Sequence, residues 1–269
     1  VYSTSYNYYH KPQISLNHSW SIAPTTTLST SAYISLSKGG GRRVYGSQTA
    51  WLWYDRNTGL PTSDTKLTPD GYLDLDAVMQ ANKESLFGSQ AIIANAINSH
   101  DWYGMLSTLI HDIDNLKLTG GLDLRYYKGY HLYEIDDLLG GEYFLSTNNI
   151  NRPANTLLYE GDVVNYYNLG EVGWACLFAQ AEYVTPVYSA FLSTSLSETA
   201  YRRTDFFNYL DDDPLQQTDW KGFMAYSFKG GANYNISDAH NVFVNSGYFT
   251  RAPYMRYVYM NYMNDVNEG

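Results

Sequence analysis

The sequence predicts an all-β protein, an antiparallel transmembrane β-barrel with long extracellular loops. Three observations predict this fold: long runs of alternating apolar and polar residues, a Tyr-rich and charge-poor composition, and connections that alternate between short and long. Because successive side chains of a β-strand point to opposite faces of the sheet, each run has one apolar face and one polar face.

The run from Leu116 to Tyr127 carries the pattern most clearly. Apolar, small or aromatic residues occupy alternate positions, namely Leu116, Leu118, Gly120, Leu122, Leu124 and Tyr126. The run spans about a dozen residues, roughly twice the length of an ordinary strand, and matches the ~9–11 residues that a tilted strand needs to cross a bilayer.

Seven further runs repeat this alternation. They span residues 13–22, 27–36, 102–110, 172–183, 188–202, 224–236 and 241–251. In the run 172–183, the pattern predicts that Gln180 and Glu182 face inward. It predicts an outward face formed by Leu177, Ala179, Ala181 and Tyr183.

The connections between the runs are predicted to be alternately short and long. Long loops are expected over residues 38–101 and 134–170, with a shorter polar loop after residue 202. Helical spacing within the first loop predicts short helices at Leu75–Asn82 and Ile92–Ile97, and its glycines Gly39–Gly41 are interpreted as a flexible loop base. This asymmetry is typical of outer-membrane barrels, whereas a soluble sandwich has no reason to place every long loop at one end.

Composition excludes several classes of function. The net charge of −10 argues against a nucleic-acid partner, because phosphate contacts require clustered Lys and Arg. No apolar run approaches the ~18 residues of a transmembrane helix. The single cysteine, Cys176, excludes a disulfide framework and is interpreted as a small apolar strand residue.

No motif in the sequence predicts catalysis. The six histidines are scattered without metal-ligand spacing, and the nucleophile-elbow, Walker and Rossmann motifs are absent from the sequence. Asp211–Asp213 lacks the glycine and the glutamate of a calcium-binding EF-hand loop and is interpreted as a solvated acidic loop. We therefore expect a protein that is not an enzyme and has no catalytic residues, metal or cofactor.

Two groups of Arg and aromatic residues are the predicted ligand-binding residues. This composition is typical of binding hot spots. The alternative interpretation is that these side chains form an aromatic girdle at a membrane interface or pack the loops. The first group is Arg42, Arg43, Trp51, Trp53 and Tyr54, and the second is Arg251, Tyr254, Arg256 and Tyr257.

The last two runs resemble a known family. Residues 228–234, with the sequence Phe-Lys-Gly-Gly-Ala-Asn-Tyr, and residues 241–253, which end in Gly-Tyr-Phe-Thr-Arg-Ala-Pro, are similar to the late barrel strands of TonB-dependent outer-membrane receptors. The runs 118–127 and 179–183 are similar as well. The likeness covers most of the chain, and it is a likeness to the barrel part of these receptors.

The resemblance implies an energised importer in the outer membrane of a Gram-negative bacterium. Such receptors have a plugged barrel of roughly 22 strands. Residues 1–269 are therefore expected to form part of one barrel domain, about a third of it, within a longer protein. The implied ligand is a siderophore, haem, cobalamin, glycan or peptide. The implied partners are outer-membrane lipid, the TonB–ExbB–ExbD complex acting through a plug, and a surface lipoprotein.

Two other interpretations remain open from the sequence. One is a self-contained eight-stranded outer-membrane barrel with a structural or adhesion role. The other is a secreted β-rich protein that binds glycans. Solubility without detergent distinguishes the secreted protein from both membrane proteins.

Overall fold

The computed structural model describes residues 2–55, 57–259 and 263–266, and these residues form an all-β structure. This confirms the predicted class. The strands are β1 (Asn7–His10), β2 (Gln13–Ala23), β3 (Thr26–Gly46), β4 (Ala91–Ile113), β5 (Leu116–Asp137), β6 (Phe144–Ser146), β7 (Thr156–Leu158), β8 (Val163–Val184), β9 (Tyr188–Asp205), β10 (Lys221–Ser237) and β11 (His240–Phe249).

Nine of the described strands form one antiparallel sheet in the order β3, β4, β5, β8, β9, β10, β11, with β1 and β2 both paired to β3. β2 pairs with the first part of β3 and β1 with residues 38–41. β6 and β7 form a separate pair between β5 and β8. Among the described residues, β2 and β11 are not paired with each other, so these strands form an open sheet.

Apart from residues 11–12, which join β1 to β2 midway along β3, the short connections lie at one end of the sheet, here called the turn end. They are residues 24–25, 114–115, 185–187 and 238–239. The long connections, residues 47–90, 138–162 and 206–220, lie at the opposite end, here called the loop end. The chain also leaves β11 at the loop end, which confirms the predicted alternation.

The central strands are longer than the sequence predicted. β4 has 23 residues, and β5 and β8 have 22 each, so the predicted loops at 38–101 and 134–170 were too long. The interpretation of Gly39–Gly41 as a flexible loop base was wrong, because these glycines pair with β1 on one side. A Cβ at Gly40 would lie 2.9 Å from the Tyr8 hydroxyl oxygen, so the glycine leaves room for the Tyr8 side chain.

The first predicted helix is confirmed and the second was wrong. Helix α1 (Leu75–Glu84) begins where the Asp74 carboxylate accepts a hydrogen bond from the Ala77 N–H. Ile92–Ile97 is instead part of β4. A second, short helix, α2 (Met255–Val258), lies in the segment after β11.

The largest buried clusters lie at the loop end, on both faces of β4. Ile92 and Ala94 pack against Ile135 and Leu158 on one face. Ala91 and Ile93 pack on the other face against residues of the 47–90 loop. The loops therefore form packed structure on the ends of the strands.

Candidate functional site

The sheet has an apolar face near the turn end. Directly paired residues of antiparallel strands point to the same face, so the register shows which side chains lie together. Leu177 and Leu192 on this face are 61% and 63% exposed. One row across the sheet consists of Trp20, Leu28, Leu109, Gly120, Ala179, Thr194, Phe228 and Tyr248.

The register places the β8 residues of the predicted outward face together on this apolar face. Leu177 pairs with Leu122, and Tyr183 pairs with Leu116. A contiguous exposed apolar surface that crosses most of a sheet is typical of proteins that contact lipid or an apolar partner.

A row of charged residues ends the apolar face toward the loop end. Asp101, Lys128, Glu171 and Arg202 pair in sequence across β4, β5, β8 and β9, with alternating sign. Arg202 donates two hydrogen bonds to the Glu171 carboxylate, at 2.7 and 2.8 Å. Its guanidinium also lies 4.8 Å from the Trp220 ring. The apolar surface therefore has a defined polar boundary.

The opposite, polar face carries hydroxyl, amide and charged side chains with aromatic rings seated over glycines. Asp123 forms an ion pair with Arg125 on this face, at 2.5 Å. The Phe178 ring occupies the space that a side chain at Gly121 would fill, and Phe191 does the same over Gly231. Each of these rings therefore packs over a glycine of the neighbouring strand.

A cleft of about 630 Å³ opens on the polar face at the loop end. Strands β5, β8 and β9 and the segment after β11 form its walls. Its volume falls within the range of ~300–1,000 Å³ typical of small-molecule sites. The lining residues are His131, Tyr166, Asn168, Gly170, Arg203, Asp205, Asn208, Met255, Arg256 and Tyr259.

Strand register places the polar lining residues side by side. His131 on β5 pairs with Asn168 on β8, which pairs with Asp205 on β9. The next row of the same face brings Gly170 beside Arg203. A glycine at that position leaves open space above the strand, where Met255 approaches from α2.

The segment after β11 is fixed to the strands by hydrogen bonds. The Tyr201 hydroxyl donates to the Pro253 carbonyl oxygen at 2.8 Å. The Asn264 side-chain oxygen accepts from Arg203 at 2.6 Å, and its amide nitrogen donates to Leu215 and Gln216 carbonyl oxygens at 2.7 Å. The described residues of this segment, 250–259 and 263–266, are therefore held in place beside the cleft.

The two buried charges of the cleft neutralise each other. The Arg203 guanidinium lies 3.1 Å from the Asp205 carboxylate, and their side chains are 7% and 3% exposed. Asp205 also accepts hydrogen bonds from the Phe207 and Asn208 backbone N–H groups and from the Asn208 amide. A buried charge that is paired and fully hydrogen-bonded is tolerated where an isolated one is not.

His131 presents a neutral ring to the cleft. Its Nδ1 lies 2.7 Å from the Asn98 side-chain oxygen, which can only accept, so Nδ1 carries the proton. Burial, and then the nearby Arg203 charge, lower the pKa of His131 below its usual value. The ring is therefore neutral near pH 7, with Nε2 as a hydrogen-bond acceptor.

The first group of predicted binding residues lies partly in β3 and partly in the following loop. The Arg42 guanidinium pairs with Asp136 and lies 5.1 and 5.4 Å from the Tyr2 and Tyr6 rings. Arg43 donates to the Asn7 side chain at 3.4 Å. Both side chains hold the N-terminal segment against the strands.

The aromatic members of this group belong to the loop itself. Trp51 packs against the cluster around Leu52, with the Lys66 ammonium 4.8 Å from its ring. The Trp53 carbonyl oxygen accepts from the Thr65 hydroxyl at 2.8 Å, and Tyr54 is exposed. Their role in ligand binding stays a prediction.

The second predicted group lies beside the cleft. Arg256 is a lining residue, and its guanidinium lies 4.7 Å from the Tyr257 ring. Arg251 donates to the Tyr254 hydroxyl at 2.9 Å. Tyr254 and Tyr257 are both exposed, so the group presents a charged and aromatic rim.

Sequence reasoning missed the floor of the cleft, namely His131, Asn168, Arg203 and Asp205. The signal was present, because these residues continue the polar phase of strands that were predicted to end too early. On β9, for example, Arg203 and Asp205 extend the polar positions Ser197, Thr199 and Tyr201.

Within the described ranges, no group of three or more His, Cys, Asp or Glu side chains could hold a metal ion. Asp213 instead accepts from the Leu215 N–H at the start of a short 3-10 helix. No helix in the described part of the chain is long and apolar enough to cross a membrane.

Comparison with known protein families found no matching family model, and comparison with curated proteins found no significant match.

Proposed function

We propose that this chain forms part of the barrel wall of a TonB-dependent outer-membrane receptor that binds a nutrient ligand and imports it. The observation that carries the proposal is the exposed apolar face, which lies opposite a polar face and ends at a row of charges. In the proposed barrel the apolar face contacts lipid and the polar face lines the lumen. A closed barrel satisfies every backbone group between strands.

The dimensions of the apolar face support this proposal. On β5 it extends from Leu116 to Tyr126, which is the proposed membrane-spanning segment. Ten steps of ~3.3 Å give ~33 Å along the strand, and a tilt of ~40° reduces this to ~25 Å. An outward apolar band of about 25 Å is the height expected for an outer-membrane barrel.

The arrangement of the two ends supports the direction of import. Outer-membrane barrels have short turns toward the periplasm and long loops outside. The cleft lies at the loop end, so a ligand would enter it from outside the cell. The open edges at β2 and β11 would pair with further strands of the larger barrel.

The ligand classes and partners follow from the sequence resemblance alone. A siderophore, haem, cobalamin, glycan or peptide would bind at the loop end. The TonB–ExbB–ExbD complex would supply the work through a plug, and a surface lipoprotein would be a further partner. Binding and gating, rather than bond-breaking chemistry, would be the mechanism.

Glu198 is the residue that fits the lipid contact least. It lies on the apolar face, paired with Ala175 and Met224. Its carboxylate reaches over Gly222, where an added Cβ would meet it at 2.5 Å. This direction leads toward the loop end, so the charge would approach the interface, as long charged side chains do in membranes.

Two substitutions on β8 test the proposal. Leu177→Arg places a charge on the apolar face, and the matched control Gln180→Arg places the same charge on the polar face. In the full-length protein in lipid vesicles, Leu177→Arg should lower the free energy of unfolding by ~2–4 kcal/mol and Gln180→Arg by much less. Denaturant titrations followed by Trp fluorescence measure both.

The same two variants also distinguish an apolar face in contact with lipid from one exposed to water. Leu177 is 61% exposed, so in a soluble protein an Arg at this position would cost almost nothing. Equal and small costs for both variants would contradict the proposal.

A further inference from the structure

We propose that the polar-face cleft between β5, β8, β9 and the segment after β11 is a binding site for a neutral, polyhydroxylated ligand, namely a short uncharged carbohydrate. The inference rests on the proposed receptor function and narrows its ligand to one class. The ligand class is inferred from the hydrogen-bonding groups of the cleft, by comparing those already bound within the protein with those that remain available to a ligand.

The charged groups of the floor have little capacity left for a charged ligand. Arg203 is bound to Asp205 and to Asn264, at 3.1 and 2.6 Å. Both Asp205 oxygens accept hydrogen bonds, one from backbone N–H groups and the other from Arg203 and Asn208. An anionic ligand that bound at the floor would need to break this pair, which is costly for a buried ion pair. The other charged lining residue, Arg256, is exposed, and its guanidinium donates to the Tyr257 hydroxyl and lies against that ring.

Uncharged groups remain available beside the pair. His131 offers Nε2 as an acceptor, because its Nδ1 is bound to Asn98. The Asn168 amide makes no hydrogen bond to the described residues, so it offers a donor and an acceptor. A sugar hydroxyl both donates and accepts, and it satisfies an adjacent acceptor and amide without bringing a charge into the cleft.

The remaining walls suit the apolar faces of a sugar ring. Tyr166 on β8 and Tyr259 after α2 line the cleft with Met255. Tyr259 is held in place, since its hydroxyl donates to the Tyr201 carbonyl oxygen at 3.2 Å. Aromatic faces with a few placed polar groups are the usual composition of a small-molecule site.

The test uses the longer barrel protein proposed to contain this chain, because only a closed barrel pairs the edges of the sheet in lipid. It is placed in lipid nanodiscs, and binding is followed by saturation-transfer NMR. The neutral probes are maltose, cellobiose and lactose. The charged probes are digalacturonic acid and ferric citrate. We expect at least one neutral disaccharide to bind, and we expect Asn168→Leu and His131→Phe each to weaken that binding about tenfold, the loss of one well-placed hydrogen bond.

The matched control is Asn17→Leu, the same substitution on the polar face of β2 and outside the cleft lining, which should bind like the unmodified chain. The inference is overturned if none of the neutral probes binds, if only the charged probes bind, or if neutral binding survives both cleft substitutions. Failure to enter nanodiscs would instead overturn the proposed receptor function. Entry into nanodiscs without sugar binding would overturn this inference alone.

Discussion

At the scale of single residues, Gly121 shows how the polar face accommodates large rings. A Cβ at this position would overlap both the Phe178 ring and the Ser107 carbonyl oxygen. The adjacent Gly120 points to the apolar face, where a Cβ would have its nearest neighbour at 3.7 Å. Gly121 therefore has no room for a side chain, whereas the adjacent Gly120 does.

Gly121→Ala should lower the free energy of unfolding by about 1–3 kcal/mol, since overpacking forces the ring and the backbone to move. Gly120→Ala should leave it unchanged or raise it by about 0.4–1 kcal/mol, because alanine restricts the unfolded chain. Denaturant titrations of both variants measure the difference. Similar losses in both would show that ring packing is not the reason for the glycine.

His131 should make the stability of the folded chain depend on pH. Burial and Arg203 lower its folded-state pKa relative to the unfolded value of ~6.5. The titratable or charged residues that line the cleft with it are Tyr166, Arg203, Asp205, Arg256 and Tyr259. Because the folded state disfavours the protonated ring, the stability that His131 contributes is present above pH ~6.5 and is lost as the pH falls below it.

The unmodified chain should therefore lose more unfolding free energy between pH 7.5 and pH 5.0 than His131→Gln does. Denaturant titrations at the two pH values give the comparison, and other titrating groups cancel in the difference. An equal loss in both proteins would contradict the lowered pKa.

The binding residues were predicted only in part. Arg256 was found from composition and lies in the cleft, whereas Arg42 is engaged by Asp136. No single-residue signal identifies Arg203 or His131, because their importance comes from pairing across three strands. Such neighbours are distant in sequence. The alternation of apolar and polar residues shows which face a residue occupies, but not which residue of the next strand it pairs with.

At the scale of elements, the strand cores were predictable and the loop-end extensions were not. Apolar and polar residues alternate along a strand only where the two faces of the sheet have different surroundings. At the start of β4, Ile92 is buried in one cluster and Ile93 in another, on opposite faces. Residues 91–97 are apolar at every position except Asn95, so they resemble a buried helix, which explains the wrong prediction for Ile92–Ile97.

Helix α1 is held to β4 by one buried amide. The Asn82 amide nitrogen donates to the carbonyl oxygens of Ala91, Leu138 and Leu139, and its oxygen accepts from the Gln90 N–H. Asn82 is 1% exposed, so removing it leaves these backbone groups without partners in a dry environment.

Asn82→Leu should release the 47–90 loop from the strand ends and expose it to proteolysis and amide hydrogen exchange, while the turn end stays protected. Gln80→Ala, at an exposed position of the same helix, is the control and should change neither. Unchanged exchange in Asn82→Leu would show that apolar packing alone fixes the loop.

At the scale of the whole molecule, the two faces of the sheet and its two ends form one consistent arrangement. An exposed apolar face, a charged boundary and a polar face with a cleft all follow from one register across the sheet. A soluble protein has no reason to leave Leu16, Leu177 and Leu192 exposed on the same surface, whereas lipid would cover them.

Spin-label accessibility along β5 tests this arrangement most directly. Labels are attached to single cysteines at positions 116–126 in a Cys176→Ser background, with the protein in lipid vesicles. We expect even positions to be accessible to oxygen, which concentrates in lipid, and odd positions to a water-soluble nickel chelate. Equal accessibility of even and odd positions to the nickel chelate would contradict contact between the apolar face and lipid.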